Sequence, residues 1–423
     1  MVKGAILAIG DELLSGRVFN TTSFLAAERL YRAGYRILEI VTVGDEKSEI
    51  VFQLKRLLEK VDFLIVSGGL GPTEDDLTNE AVAEALSLKL VPRPEILSRI
   101  RENERAQGLK PNVLRDKMAY LPEGAEPLAD DLAVAGYLLK YQGKPLFFLP
   151  GVPSQFGKLL EEKVLPQLFK LYPPREAVFT KTLRFFDLRE AEINQAVKEL
   201  KAEGVEFGFY PVFPEVHLTI TARAKTEEEA RNRVLLVTEA LKTRFPEHLF
   251  GEDGEELPQV LGRLLGEKGK TLSVAESCTG GLMASLITRI PGSSEYFIGG
   301  AVTYANEAKM KTLGVPERFL RLFGAVSREV ALSMAEGARK HFGTDFALSV
   351  TGIAGPSGGS SEKPVGTVWI GLSAPTETVA RRFLFPGTRY EIQTLTAYTA
   401  LDWLRRYLLH DTLFPRYRFA RED

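Results

Sequence analysis

The segment Thr271-Leu-Ser-Val-Ala-Glu276-Ser277-Cys278-Thr279-Gly280-Gly281-Leu282-Met-Ala-Ser-Leu-Ile287 reads as strand, turn and helix. The apolar run 271–275 predicts a buried strand, and 282–287 predicts the opening of a helix. Between them, Ser-Cys-Thr-Gly-Gly breaks the strand. Such a break puts a hydroxyl and a thiol at the carboxyl end of a sheet. It also aims free backbone N–H groups and the positive helix end at whatever sits there. Residues 275–281 therefore offer a nucleophile together with an anion or oxyanion cradle.

Working outward, the same alternation fills residues 256–423. Strands are expected at 271–275, 295–304, 346–350, 367–372 and 379–385, with amphipathic helices at 279–290, 327–341 and 388–409. The first 172 residues alternate likewise. Strands are expected at 5–9, 35–43, 63–66 and 145–149, and helices at 22–33, 48–59 and after Pro153. Near-continuous apolar strands between such helices argue for a parallel sheet covered on both faces. The whole is of the α/β class, and its first unit is doubly wound. Tyr172-Pro-Pro-Arg175 reads as a linker. A smaller α+β unit spans 176–252, with strands at 178–185 and 215–224 and helices at 189–201 and 226–245. Its β-α-β-β-α order resembles a KH-like module. The Gly-x-x-Gly loop of RNA-binding KH domains is missing, so a structural spacer is the expectation there.

The totals bound the function. A chain of 423 residues is too long for one core and suggests two to four domains. A net charge of −2 supplies no global field for nucleic acid or anionic membrane, so neither partner is expected. One cysteine, Cys278, excludes intramolecular disulfides and fits a reducing compartment. The apolar run near Met1 is too short for a secretory signal, and no stretch is long enough to span a bilayer. A cytoplasmic protein is expected.

Three segments of the last unit end on predicted strands, where open α/β sheets place ligands. They are the turn 277–281, Val302-Thr-Tyr304-Ala-Asn-Glu-Ala-Lys309, and Thr351-Gly352-Ile-Ala-Gly355-Pro-Ser-Gly358-Gly359. A serine nucleophile needs a base. The histidines are His217, His248, His341 and His410, and none adjoins a glycine-rich strand end, which argues against a Ser-His-Asp triad. A lysine kept neutral by desolvation serves instead. Lys309 is the candidate, with Tyr304 relaying a proton or holding the lysine. Cys278 is the alternative nucleophile.

Ala-Glu-Ser-Cys-Thr-Gly-Gly (275–281), Thr-Tyr-x-Asn-Glu-Ala-Lys (303–309), Thr-Gly-Ile-Ala-Gly-Pro-x-Gly-Gly (351–359) and Lys-Pro-Val-Gly-Thr-Val (363–368) resemble the CinA carboxy-terminal domain, a nicotinamide mononucleotide amidohydrolase family. The resemblance implies hydrolysis of the nicotinamide amide to nicotinic acid mononucleotide and ammonia, with no cofactor. It implies Ser277 as nucleophile, Lys309 as general base and Tyr304 as assistant. Substrate would be held by Arg389 and by the turn residues Cys278, Thr279, Gly280, Gly281, Thr351, Gly352, Gly355, Gly358 and Gly359.

In the first unit, Ile9-Gly-Asp11-Glu12-Leu-Leu-Ser-Gly16 and Ser67-Gly68-Gly69-Leu-Gly71-Pro-Thr73-Glu-Asp75-Asp76-Leu-Thr78 follow strands. Glycine amides bind phosphate, while Asp75 and Asp76 can hold a divalent ion, joined by Asp45, Asp11 and Glu12. These strings and Leu-Pro-Gly-Val-Pro (149–153) are similar to the molybdopterin-binding, MoaB/MogA-like domain found at the amino end of CinA proteins. That resemblance implies ADP-ribose pyrophosphatase activity with magnesium, manganese or cobalt, substrate contacts at Gly68, Gly69, Gly71 and Thr73, and a homodimer. Pterin binding by a vestigial site, or an adaptor in competence and recombination, are the alternatives.

Overall fold

The computed structural model describes residues 2–129 and 135–421. Its internal contacts divide the chain into two compact units, 1–179 with 222–231, and 180–221 with 232–423. Each is described by itself.

The first unit is built on a six-stranded sheet. Its strands are β1 (Lys3–Ile9), β2 (Arg36–Val43), β3 (Phe63–Ser67), β4 (Glu126–Pro127), β5 (Tyr137–Tyr141) and β6 (Lys144–Leu149), in the order β2-β1-β3-β6-β5-β4. Helices α1 (Thr21–Arg32), α2 (Lys47–Leu58) and α3 (Thr78–Leu86) cover it. The uninterrupted apolar runs are explained by burial on both faces. Leu7 and Ile9 pack with Leu54 and Val82 on one face, while Ile6 packs with Leu30 and Phe156 on the other. Each such side chain contributes roughly 1.5–3 kcal/mol relative to exposure. The expectation of a wholly parallel sheet is corrected at one edge. Strands β2, β1, β3 and β6 are parallel, but β5 pairs antiparallel with β6, and β4 pairs antiparallel with β5. The cause is the two-residue loop Gln142-Gly143, whose φ values of 49° and 78° make a tight hairpin between β5 and β6.

A four-stranded sheet follows, formed by β7 (Ala177–Phe186), β8 (Val205–Val212), β9 (Glu215–Ala224) and β10 (Leu249–Glu252) in the order β8-β9-β7-β10. Its helices are α4 (Glu190–Leu200) and α5 (Glu227–Arg244). Strand β10 lies outside the expected β-α-β-β-α order and pairs antiparallel with β7.

The last sheet holds β11 (Leu272–Glu276), β12 (Phe297–Val302), β13 (Phe346–Gly352), β14 (Thr367–Ser373), β15 (Thr378–Leu384) and β16 (Ala420–Arg421), ordered β12-β11-β13-β14-β15-β16. Strands β12, β11 and β13 are parallel. Leu272 and Val274 face a core shared with Leu401 and Trp403, whereas Ala275 and Ala347 face another with Val330 and Met334. The helices that supply these partners are α9 (Arg328–Phe342) and α10 (Arg389–His410). Helix α6 (Leu257–Glu267) precedes β11, and two further helices, α7 (Leu282–Thr288) and α8 (Asn306–Leu313), start just beyond β11 and β12. Helix α7 starts three residues later than expected because Gly280 and Gly281, at φ 63° and 103°, hold a left-handed turn first.

Candidate active site

The carboxyl ends of β11, β12 and β13 lie side by side. Glu276 pairs with Val302 on one side and Val350 on the other. Beyond that row the ladder closes with two more bonds, from Thr303 N to Glu276 O and from Ser277 N to Val350 O, at 2.8 and 3.1 Å. Ser277 therefore leaves the sheet at the point where β12 also ends and runs toward α8.

Lys309 sits in the first turns of α8, 1% exposed. Its Nζ stands 3.1 Å from Ser277 Oγ. It donates to Thr303 O at 2.7 Å and to Tyr304 O at 3.0 Å. Burial pushes the Lys309 amine below its ordinary pKa. A neutral amine has two N–H groups and one lone pair. The two carbonyls take the N–H groups, which aims the lone pair at the serine hydroxyl.

Tyr304 enters differently from the expectation. Its backbone carbonyl positions Lys309, but its side chain is exposed and its Oη accepts from Arg389 Nη2 at 3.3 Å. Arg389 Nη1 donates to Gly355 O at 2.8 Å. Arg389 thereby ties the loop after β12 to the glycine loop after β13. In that loop Gly355 is needed at φ 79°, where a Cβ would also strike Val365 at 2.6 Å. Thr351 is inward, its hydroxyl bonded to Ala325 O at 2.8 Å. A Cβ on Gly352 would meet Val368, while Gly358 holds φ 90° and a Cβ on Gly359 would meet Val365 N. These four glycines therefore shape the loop, and Thr351 presents only its backbone.

The oxyanion cradle expected within residues 275–281 is narrowed by Glu276, to which the sequence reading gives no role of its own. Glu276 is fully buried. Its carboxylate accepts from Thr279 Oγ1 (2.6 Å), Gly281 N (3.0 Å), Met283 N (3.1 Å) and Ala284 N (2.9 Å). It caps α7 and consumes the donors of that helix end. Gly280 N donates to Ser277 O. The amides of Cys278 and Thr279 have no carbonyl partner among the described residues, which makes them the donors left for an oxyanion. The signal in the sequence was a lone acid between an apolar strand and a helix start. Gln393, whose Nε2 donates to Cys278 O at 2.7 Å, carried no such signal.

Cys278 packs into the apolar core, and burial pushes its thiol up to about 12. It stays protonated at neutral pH, which removes the thiolate that a cysteine nucleophile requires.

The first unit carries the second candidate site. One cleft is lined by Gly10, Glu12, Asp45, Gly68, Gly69, Gly71, Thr73, Asp75, Asp76 and Pro150–Pro153. A Cβ at Gly68 would lie 2.2 Å from Ile9 O, so only glycine allows this loop to approach β1. The five carboxylates expected to ligate one ion do not form a cage. Among the described residues, no three His, Cys, Asp or Glu side chains group to hold a metal ion between them. Three of the acids accept loop bonds through one carboxylate oxygen each. Asp76 Oδ2 accepts from Thr73 N and Oγ1, at 2.9 and 2.6 Å, and Asp45 and Asp11 exchange backbone-to-carboxylate bonds at 2.9 and 3.3 Å. Burial, then the charges of Asp11, Glu12 and Asp75, raise the Asp45 carboxyl above its usual range despite the Asp11 amide. Asn20 caps α1 by accepting from Ser23 N.

Family models match three consecutive stretches. "Probable molybdopterin binding domain" matches residues 5–170, "Damage-inducible protein CinA KH domain" 180–251 and "CinA C-terminal domain" 254–408. A CinA-like protein of Desulfotalea psychrophila is 48% identical over 96% of this chain and 99% of its own length. One of Geobacter metallireducens is 43% identical over 96% of this chain and its whole length. Among solved structures, a competence/damage-inducible protein of Agrobacterium tumefaciens is 42% identical, with a TM-score of 0.35, over 37% of this chain and 98% of its own.

Proposed function

The chain belongs to the CinA family, and from that premise we propose that its carboxy-terminal site hydrolyses the carboxamide of nicotinamide mononucleotide. The observation that carries this reading is the Lys309 amine, buried between two carbonyls and 3.1 Å from Ser277 Oγ. Ser277 Oγ attacks the carboxamide carbon as Lys309 takes the hydroxyl proton. The amides of Cys278 and Thr279 hold the resulting oxyanion. Collapse breaks the C–N bond, Lys309 returns the proton to the departing nitrogen, and ammonia leaves. A water then attacks the acyl-serine ester, again losing its proton to Lys309. Nicotinic acid mononucleotide leaves, and Ser277 regains its proton. Arg389, bonded to Tyr304 and Gly355, is the cation that fits the phosphate. Ser277→Ala and Lys309→Ala should each lower ammonia release by a factor on the order of 10⁴ with the fold retained by circular dichroism. Retention of full activity by both variants would sink the mechanism.

For the first unit the reading is cleavage of ADP-ribose. It is supported by a glycine-rich phosphate cradle and the carboxylates of Glu12, Asp45, Asp75 and Asp76 lining one cleft. The acids fit magnesium in its usual manner, held by one or two carboxylates and the substrate's phosphates rather than by an all-protein cage. Asp45 and Asp75 would hold it, and when bound it neutralises phosphate charge. The glycine loop 68–71 orients the pyrophosphate. Release of AMP from ADP-ribose with added magnesium, manganese or cobalt tests this reading; no cleavage with any of them would leave pterin binding as its successor. A homodimer belongs to the same proposal and is tested by sedimentation.

A further inference from the structure

We propose that the middle module is a working part of the deamidase site: Phe213, at the tip of the β8–β9 hairpin, stands with Tyr390 as the wall against which the ribose-phosphate end of the substrate packs. This rests on the deamidase reading above. Two rings meet at that tip, with centroids 6.5 Å apart and planes at 43°. That lies within the range of attractive aromatic pairs. Yet Phe213 is 47% and Tyr390 70% exposed. The pair shields itself only in part and leaves apolar ring surface for a further occupant.

The hairpin is fixed where it stands. Glu215, just past the tip, is 4% exposed. It takes a two-point ion pair from Arg184, at 2.8 and 3.0 Å, and lies 2.7 Å from His217 Nε2. It also bonds the Tyr398 hydroxyl, two turns along α10 from Tyr390. A second clamp joins the module to the far end of that helix and the chain beyond it. Asp187 receives Arg418 Nε at 3.2 Å, and Glu247 receives Arg406 at 3.3 Å. A passive spacer has no need for two anchors that set the hairpin tip against the first turn of α10.

The position selects the occupant. The reacting carboxamide must lie at Ser277, so the rest of the molecule extends outward. Arg389, bonded to Tyr304 and Gly355, is the cation for its phosphate. Tyr390 is the next residue, and Phe213 lies against it. A ribose carrying a phosphate on Arg389 therefore meets these two rings, which give it an apolar face and displace water from that side.

Phe213→Ala is the test, read by calorimetric titration of nicotinamide mononucleotide and by steady-state ammonia release. Kd and KM should rise about 5- to 20-fold, with kcat at saturation changed less than about twofold and with Phe213→Trp restoring both. Tyr390→Ala should act alike, and the double variant should be no worse than about twice the worse single variant. Equal Kd in parent and Phe213→Ala, or fully multiplicative effects in the double variant, would overturn the wall while leaving deamidation standing. A parent that neither binds nor hydrolyses the mononucleotide overturns the deamidase reading itself, and the wall with it.

Discussion

Lys309 is the residue on which the proposed chemistry turns, because its environment fixes its proton. Burial favours the neutral amine, so its folded pKa lies below the ordinary lysine value. The base must be unprotonated, and deamidation should therefore climb as pH rises through that lowered pKa. A profile of kcat/KM against pH should show a limb below about 10.4, the value for free lysine. A flat profile, or a limb at the free value, would contradict the assignment. Stability carries the same sign. Between the lowered folded pKa and the unfolded one, the unfolded chain binds the extra proton, so stability due to this residue increases with pH across that window. Urea midpoints of the parent relative to Lys309→Met should rise as pH is raised through it.

At the scale of the element, the turn between β11 and α7 works because one buried carboxylate holds it. Glu276 collects one hydroxyl and three amides of the helix start. Glu276→Gln replaces an acceptor oxygen by an NH₂ that faces donors. Leaving buried N–H groups unpaired costs about 1–3 kcal/mol each, so a loss of at least that size should appear in denaturant unfolding, together with a fall in kcat. An unchanged midpoint would show the cap to be dispensable. This element also marks what the sequence could carry. The strands near 5–9, 63–66 and 271–275 were legible because an apolar run buried on both faces has no other use. Ser277 and Lys309 were legible only once matching strings stood beside the shortage of suitable histidines. Glu276 was hidden because an acid near a helix start reads as ordinary capping, and nothing in a linear string says that it is fully buried. The antiparallel edge of the first sheet was hidden for another reason: Gln142 at positive φ is not a typical hairpin residue. Strand β10 is four residues long and falls below what alternation can reveal.

At the scale of the whole molecule, two compact units place the two candidate chemistries on separate cores. Asp45→Asn should abolish ADP-ribose cleavage and leave ammonia release within about twofold of the parent; a parallel loss of both would show that the sites are coupled. The second unit depends on a buried charge cluster. Asp402 is enclosed by Arg405, Arg406 and Tyr417, with bonds of 2.7, 2.7 and 2.9 Å. Burial opposes its charge, but the two guanidiniums outweigh that and hold the carboxyl below its usual range. Asp402→Ala strands two buried cations and should lower the stability of this unit by about 3–5 kcal/mol, read as a lower melting temperature for deamidase activity than for ADP-ribose cleavage. Cys278 adds a different kind of access. Its sulfur adjoins the proposed nucleophile, is sealed in the core with its thiol pushed up to about 12, and is the sole cysteine of the chain. Alkylating reagents should pass over the native protein and tag that sulfur only when this turn opens. The chain thus carries a built-in stopwatch: the labelling rate, followed by mass spectrometry, times the breathing of the turn between β11 and α7.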